Sequence, residues 1–424
     1  MGRNSTTKTV ALGLLTTTLI STAAVAGGFD RGAVNIDQLF DRDRFSANAR
    51  ITYVNPQREI NNITRPALAL TPLAGFNGGS VDIDGDFFVP RFGLKSSVAQ
   101  GVDCLATYSE PFGGDANYGV GNIFSPSTVE FFLDTQDYGL TCSYQFGMGD
   151  TQFGDSYLRV IAGGSYLEAQ GFLSRQSFLF GSVPLGVAPL TELGIGTFDI
   201  SDETFGWRAG LAYEIPAIAL NATILYSSRY DLDLTGVQTN AGFSTLSAGQ
   251  LAAIGGPAFP ISLAGAEIPQ AIDVKLQSGI NETTLAFLNL RWQDWDQLQI
   301  LPVISTATGL PTGSTLDVSY QDGYTATFGI GNQLSEKVST LASLTWDRGT
   351  STIVGTQTDT WTLSGGLRYK EGEYFRLSLG GAIGILEGGV SQLNPANPDP
   401  SGAVTYDFDA DFVYALTASA KVRF

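Results

Sequence analysis

The last nineteen residues, YDFDADFVYALTASAKVRF (Tyr406–Phe424), keep a strict two-residue rhythm. Every even position is apolar or aromatic, from Tyr406 and Phe408 through Leu416 to Val422 and Phe424. The odd positions are mostly polar, among them Asp407, Asp409, Asp411, Ser419, Lys421 and Arg423. Side chains on a strand alternate between two faces, so this stretch predicts one apolar and one wet face. The run is far longer than the roughly five or six residues usual in a soluble strand. It is aromatic at both ends and small or aliphatic between them, which fits a bilayer wall better than a sandwich.

The front of the chain supports export. Arg3 and Lys8 precede a short apolar run from Val10 to Ile20, and Ala24-Val25-Ala26 has the form of a cleavage site. We read residues 1–26 as a secretory signal peptide, with the mature chain expected to begin at Gly27. No later segment has about 18 uninterrupted apolar residues, so a membrane-embedded form has to be a barrel.

The same alternation recurs along the chain. FGWRAGLAYEI sets Phe205, Trp207, Leu211 and Tyr213 against Arg208 and Glu214. LNATILYSSRYDLDL sets Leu220, Ile224, Tyr226, Tyr230, Leu232 and Leu234 outward, with Asn221, Thr223, Arg229, Asp231 and Asp233 inward. WTLSGGLRYK and FRLSLGGAIGI form a tight hairpin through Lys370–Glu373. About fourteen strands follow, beginning near Ser46, Asp86, Gly101, Val129, Asp155, Phe198, Ala219, Gln270, Thr283, Leu316, Val338, Thr358, Tyr374 and Val404. An even count, with short turns alternating with long loops, is the pattern of a bacterial outer-membrane barrel. The expected fold class is therefore all-β: a transmembrane antiparallel β-barrel of about fourteen strands over 46–424, with residues 27–45 as an N-terminal lumen plug. GGFDRGAVNIDQLFDRDRF is polar, of mixed charge and not strand-like, and a barrel of this size has a lumen to fill.

Composition narrows the function. Charged residues are 15%, and the net charge of −18 argues against nucleic acid. The chain has no His, so hydrolases built on a His base or ligand are excluded, and we expect no enzyme, no metal and no cofactor. Asp82–Asp86 (DIDGD) lacks the following Gly and distal Glu of a calcium loop. Cys104 and Cys142 flank one loop and could bond across neighbouring strands, or remain two thiols on the wall.

Two of the long loops are apolar. Ser174–Gly196 carries Phe178, Leu179, Phe180, Val183 and Leu185, and Ala241–Pro269 carries Phe243, Leu246, Leu251, Ile254 and Phe259. Apolar surface of this extent usually marks a binding site. The loops either form a groove for a hydrophobic small molecule or pack on each other. Other long loops are expected at 113–126, 300–314 and 388–402. The lumen arginines Arg159, Arg208, Arg229, Arg291 and Arg368 are expected to pair with lumen acids.

These features together resemble the FadL-type long-chain fatty acid transporters, the family that includes aromatic-hydrocarbon channels. The resemblance rests on FDRDRFSANARITYVNP, FGWRAGLAYEI with NATILYSSRYDLDLTG, IPQAIDVKL with LAFLNLRWQDWDQL, and the aromatic last strand. It implies a monomer in the bacterial outer membrane, in contact with lipid and lipopolysaccharide and handed to the barrel-assembly machinery by the terminal Phe424. It implies passive uptake of fatty acids or other hydrophobic molecules, captured by the outer loops and held in an inner pocket near Gly27, Phe29 and Arg175. It further implies lateral release at a kink in the third strand, Gly101–Phe112, where Asp103, Cys104 and Pro111 are sites of disturbed pairing. The chain departs from the family pattern. No Asn-Pro-Ala stands between Gly27 and Phe45, and no second basic residue pairs with Arg175, so the ligand is expected to be less acidic than a fatty acid. The alternatives are a general porin for small polar solutes, which leaves the apolar loops unexplained, and an adhesin or structural barrel, which needs no apolar groove.

Overall fold

A computed structural model describes residues 27–32, 34–65, 79–83, 85–179, 191–241, 256–398 and 404–424. Fourteen antiparallel strands close a barrel. They are β1 (Phe45–Pro56), β2 (Phe87–Ala99), β3 (Val102–Ser109, continued by Gly113–Asn117), β4 (Glu130–Thr151), β5 (Gly154–Leu179), β6 (Thr191–Ile215) and β7 (Leu220–Ser227, continued by Thr235–Ala241). There follow β8 (Ala258–Leu263, continued by Ala271–Gly279), β9 (Thr284–Gln293, continued by Ile300–Ser305), β10 (Leu310–Asp317, continued by Gly323–Gln333), β11 (Val338–Asp347), β12 (Thr360–Glu371), β13 (Phe375–Leu386) and β14 (Asp411–Arg423). β14 pairs with β1 from Ser46↔Arg423 to Pro56↔Val413, so no edge is left at the seam.

The alternation decides which way each side chain points. On β14, Phe412, Tyr414 and Leu416 are exposed on the outer face, while Val413, Ala415, Thr417, Ser419 and Lys421 are buried inside. On β12, Trp361, Leu363 and Leu367 face out, and Thr362, Ser364 and Arg368 face in. Aromatic rings run side by side across the outer wall. Phe92, Tyr108, Tyr138, Tyr166 and Phe205 join β2 to β6 through successive ring contacts of 5.2–6.3 Å. At the other end, Phe424 lies 6.1 Å from both Phe45 and Tyr374. Two aromatic belts around an apolar band are the signature of a membrane-spanning barrel. Cys104 and Cys142 are register partners on β3 and β4 and are disulfide-bonded.

The structure corrects several expectations. Tyr406–Phe424 is not one strand: Thr405–Phe408 leaves the wall and joins Arg58–Thr64, Val81–Ile83 and Gly389–Ser391 in a separate four-stranded sheet. There Tyr406 and Phe408 are buried with Ile60, Ile63, Ile123 and Phe124. A period of two marks one apolar face without saying which surface covers it. Of the expected loops, 300–314 is largely strand, and the described ends of 174–196 are strand as well. Ile300–Ser305 and Leu310–Asp317 extend the wall, and β5 and β6 pair as far as Leu179↔Thr191. These segments carry apolar residues because their inner faces line a cavity.

Candidate functional site

β7, β8, β9 and β10 are all interrupted at one level, over residues 228–234, 264–270, 294–299 and 318–322. The ladder breaks at Ser228 and Arg229, and the facing of the next residues reverses. Tyr230, Leu232 and Leu234, expected outside, are buried within, whereas Arg229 faces out and pairs with Asp231 at 2.9 Å. A single irregular residue shifts every following side chain to the other face. The turned segments bring Tyr230, Leu232, Ile268, Trp295, Leu298 and Tyr320 together inside the barrel, against Leu167, Ala169 and Phe198 of β5 and β6.

Within this apolar cluster lies a cavity of about 90 Å3. An apolar cavity of about 150 Å3 takes up benzene, so this one is on the scale of a single ring. Its lining is almost wholly apolar: Phe131 and Leu133 from β4, Phe198 and Ile200 from β6, Ile261 and Leu263 from β8, with Trp295 at the base. Two charged residues reach it, and both have protein partners. Arg175 Nη2 donates to the Thr315 carbonyl at 2.8 Å and its guanidinium lies 5.7 Å from the Phe198 ring. Glu267 pairs with Arg229 at 3.8 Å. The cavity therefore offers dispersion and desolvation, and little to a free carboxylate.

The N-terminal segment forms the inner wall of this cavity. Phe29 packs against Phe131, Trp295 and Tyr320 with ring centroids 6.0, 6.2 and 5.8 Å away. Gly27 N–H donates to Asp347 Oδ1 at 3.0 Å, and Gly28 N–H to Thr350 Oγ1 at 2.6 Å. Gly28 has φ +66, and a Cβ there would lie 2.6 Å from the Trp295 ring, so only glycine suits the position. Asp30 Oδ2 meets Arg291 Nε at 2.9 Å, and Arg291 also holds Asp273 at 2.8 Å. Complete burial pushes the Asp30 carboxyl above its ordinary value, with Arg291 pulling it back. Farther along, Asp37 pairs with Lys275 at 2.9 Å, Asp41 with Lys421, and Leu39 packs against Leu105 and Ile161. Residues 27–32 and 34–43 thus meet partners on β3, β5, β8, β9, β11 and β14.

Of the inward arginines, Arg159 holds Asp103 and Glu214 at 2.8 Å, Arg208 lies 3.6 Å from Asp137, and Arg368 donates to Ser378 Oγ at 3.4 Å. In β3 the disturbed pairing falls at Glu110–Phe112, around Pro111, which has no N–H to give. Cys104 pairs regularly on both sides, contrary to expectation, whereas Asp103 pairs with Ser143 on β4 but faces a register slip between Ser97 and Ala99 on β2. Above the break no ladder joins β2 to β3 among the described residues, although Gly85, just before β2, lies close to the Asp115 carbonyl. Gly113–Asn117 pairs with β4 alone, while Phe87–Pro90 of β2 pairs with β1 alone. The backbone of the N-terminal segment bridges part of the gap: Arg31 N–H donates to the Pro111 carbonyl and Gly113 N–H to the Phe29 carbonyl, both at 2.7 Å.

Among the expected groove residues, Phe259 packs against the apolar cluster. Phe178 and Leu179 belong to β5 by backbone, and their side chains lie outside the described residues, as do Phe180, Val183, Leu185, Phe243, Leu246, Leu251 and Ile254. Phe29 and Arg175 both border the cavity, and Gly27 anchors its N-terminal wall. The cavity residues from β4, β6 and the turned segments were missed. The one sequence signal was the apolar content of Ile300–Leu316 and Ala258–Ile268, which reads as loop when judged by strand spacing alone.

A family-model scan and a search of curated proteins both return no match. Solved structures do match. A Pseudomonas aeruginosa FadL homologue aligns with TM-score 0.76 at 15% identity, covering 95% of this chain and 96% of that one. The fold is that of the FadL-type channels. A Ralstonia pickettii toluene transporter, TbuX, aligns with TM-score 0.59 at 14% identity over 91% of this chain and 90% of its own. The Pseudomonas putida toluene transporter TodX aligns with TM-score 0.58 at 14% identity over 96% and 97%. The FadL-type barrel thus accounts for nearly the whole chain at an identity too low to transfer individual residues.

Proposed function

We propose that this chain is a bacterial outer-membrane channel, not an enzyme, for passive uptake of small hydrophobic molecules. The observation that carries this reading is the apolar cavity walled by Phe29 and Phe131, which Gly114 of β3 approaches. A neutral single-ring hydrocarbon suits it better than a long-chain fatty acid, because the cavity is small and the one arginine at its edge already holds a carbonyl. The toluene transporters of the same fold support that choice. Burying about seven carbon-sized groups at roughly 0.8 kcal/mol each gives some 5–6 kcal/mol, enough for sub-millimolar capture and still weak enough for release.

In this reading, residues 1–26 direct export and the mature chain begins at Gly27. The apolar outer loops around Phe178–Leu185 and Phe243–Ile254 collect the molecule, the cavity holds it, and it leaves sideways between β2 and β3 into the membrane. The channel works as a monomer and is assembled by the machinery that engages Phe424. The test is uptake of labelled toluene, oleate and a sugar by cells lacking their own transporter, with and without this protein. Protein-dependent uptake of toluene supports the reading, and protein-dependent passage of the sugar alone would identify a general porin instead.

A further inference from the structure

Resting on that reading, we infer that Arg31 is the latch of the lateral opening: its side chain passes through the break in the wall and closes it. The backbone of Arg31 lies inside the barrel, where its carbonyl accepts from Arg91 Nη2 at 2.9 Å. Its side chain does not stay there. Nη1 meets Asp134 Oδ1 at 3.1 Å, and Asp134 stands on the outer face of β4, in step with Gln136, Tyr138 and Leu140, with 56% of its side chain exposed. The Arg31 side chain itself is only 5% exposed. An inner residue reaching an outer partner has to cross the wall, and it crosses where β2 and β3 do not pair.

The opening is shaped for this side chain. Gly113 shares a face with Asp134, and a Cβ on it would lie 2.4 Å from Arg31 Cζ, so the guanidinium fills the place of the missing side chain. On the other rim, Phe87 lies under the guanidinium with its ring centre 4.5 Å from Cζ. The cavity lies directly behind. Phe29, two residues earlier, lines it, and Gly114 of the rim approaches both Phe29 and Phe131. A molecule leaving the cavity sideways must displace Arg31. The closure is light: Nε is buried with no hydrogen-bond partner, and one ion pair and one ring contact hold the side chain. Such a contact holds the gate shut at rest and yields to an apolar molecule pressing from the cavity.

The test is the initial rate of labelled toluene uptake in cells lacking their own transporter, for the wild type and for Arg31→Ala, Arg31→Lys, Asp134→Asn, Gly113→Ala and Leu263→Glu. Heat-dependent gel migration confirms that each barrel is folded. Arg31→Ala is expected to speed uptake about fivefold or more, by loss of both the ring contact and the ion pair. Asp134→Asn, which leaves the wall intact, should give a smaller gain. Gly113→Ala should resemble Arg31→Ala because it drives the guanidinium out, and Arg31→Lys should fall between Arg31→Ala and the wild type. Folded Arg31→Ala and Asp134→Asn proteins that carry toluene no faster than the wild type, while Leu263→Glu carries none, would overturn the latch and leave the uptake reading standing. No toluene uptake by the wild type or by Arg31→Ala would overturn both.

Discussion

The two sides of the barrel are built differently. From β11 through β14 to β1 the strands pair without a break, and their inner face is largely polar, with Ser343, Thr345, Thr362, Ser364, Thr417 and Lys421 buried beside a small apolar cluster at Val54, Leu386 and Val413. From β7 to β10, and again in β3, the strands are interrupted and their inner face is apolar. The unbroken side supplies partners such as Asp347 and Lys421 to the N-terminal segment. The broken side builds the cavity. Regular pairing fixes alternation and leaves little room to choose what points inward, whereas a break lets a short segment turn its apolar residues into the lumen. Site and scaffold are thus separated by where the ladder fails.

The comparison can be broken most forcefully at the cavity. Leu263→Glu would place an unpaired carboxylate among Leu232, Trp295 and Leu301. Burying such a charge costs several kcal/mol, so toluene binding is expected to fall by more than about a hundredfold in a calorimetric titration. A matching change on the outer face of the unbroken side, Leu363→Ala, should leave binding unaltered, since that residue is exposed on the outside of the wall.

The next effect concerns the segment that joins the two sides. Arg291→Ala strands Asp30 and Asp273 inside the barrel. Removing one partner of a buried pair typically costs about 3–5 kcal/mol, so residues 27–43 should undock for much of the time. Single-channel recordings in planar bilayers are expected to show frequent large openings that the wild type lacks. Unchanged conductance would show that the segment is held by its apolar packing alone.

The break in β3 offers a finer test. Pro111→Thr restores an N–H that the ladder can use. With pairing favoured across the gap, toluene uptake should slow several-fold while equilibrium binding stays within about twofold of the wild type. The smallest effect expected is at Phe29. Phe29→Ala removes one ring from the cavity wall and should weaken toluene binding by about tenfold, at roughly 1.4 kcal/mol.

Much of the barrel was legible before any coordinates. The outward aromatic and inward polar residues of β12, β13 and the Phe412–Phe424 part of β14 follow from spacing, because lipid and lumen impose opposite demands on adjacent positions. The turns at Ile215–Ile218 and Lys370–Glu373 follow from the interruption of that spacing. The cavity was not legible in the same way. Leu232 and Leu234 carry the same alternation as Tyr226, and only the break at Ser228–Arg229 turns them inward. Leu301 and Val303 look like loop residues until their partner strand, Leu310–Asp317, is seen beside them. Phe29 and Arg175 were within reach through the family resemblance, which implies a pocket near the mature N-terminus and a basic residue after Ser174. Arg31 was not, since its partner Asp134 is distant in sequence and on the opposite face of the wall.

The central claim is that the apolar cavity behind Phe29 holds a small neutral hydrophobe. Titration calorimetry of the purified barrel with toluene, with oleate, and with toluene again after Leu263→Glu tests it most directly. The account expects saturable toluene binding at sub-millimolar concentration, lost in Leu263→Glu, and weaker binding of oleate at the same site. Toluene binding that survives Leu263→Glu, or saturable binding of oleate alone, would contradict it.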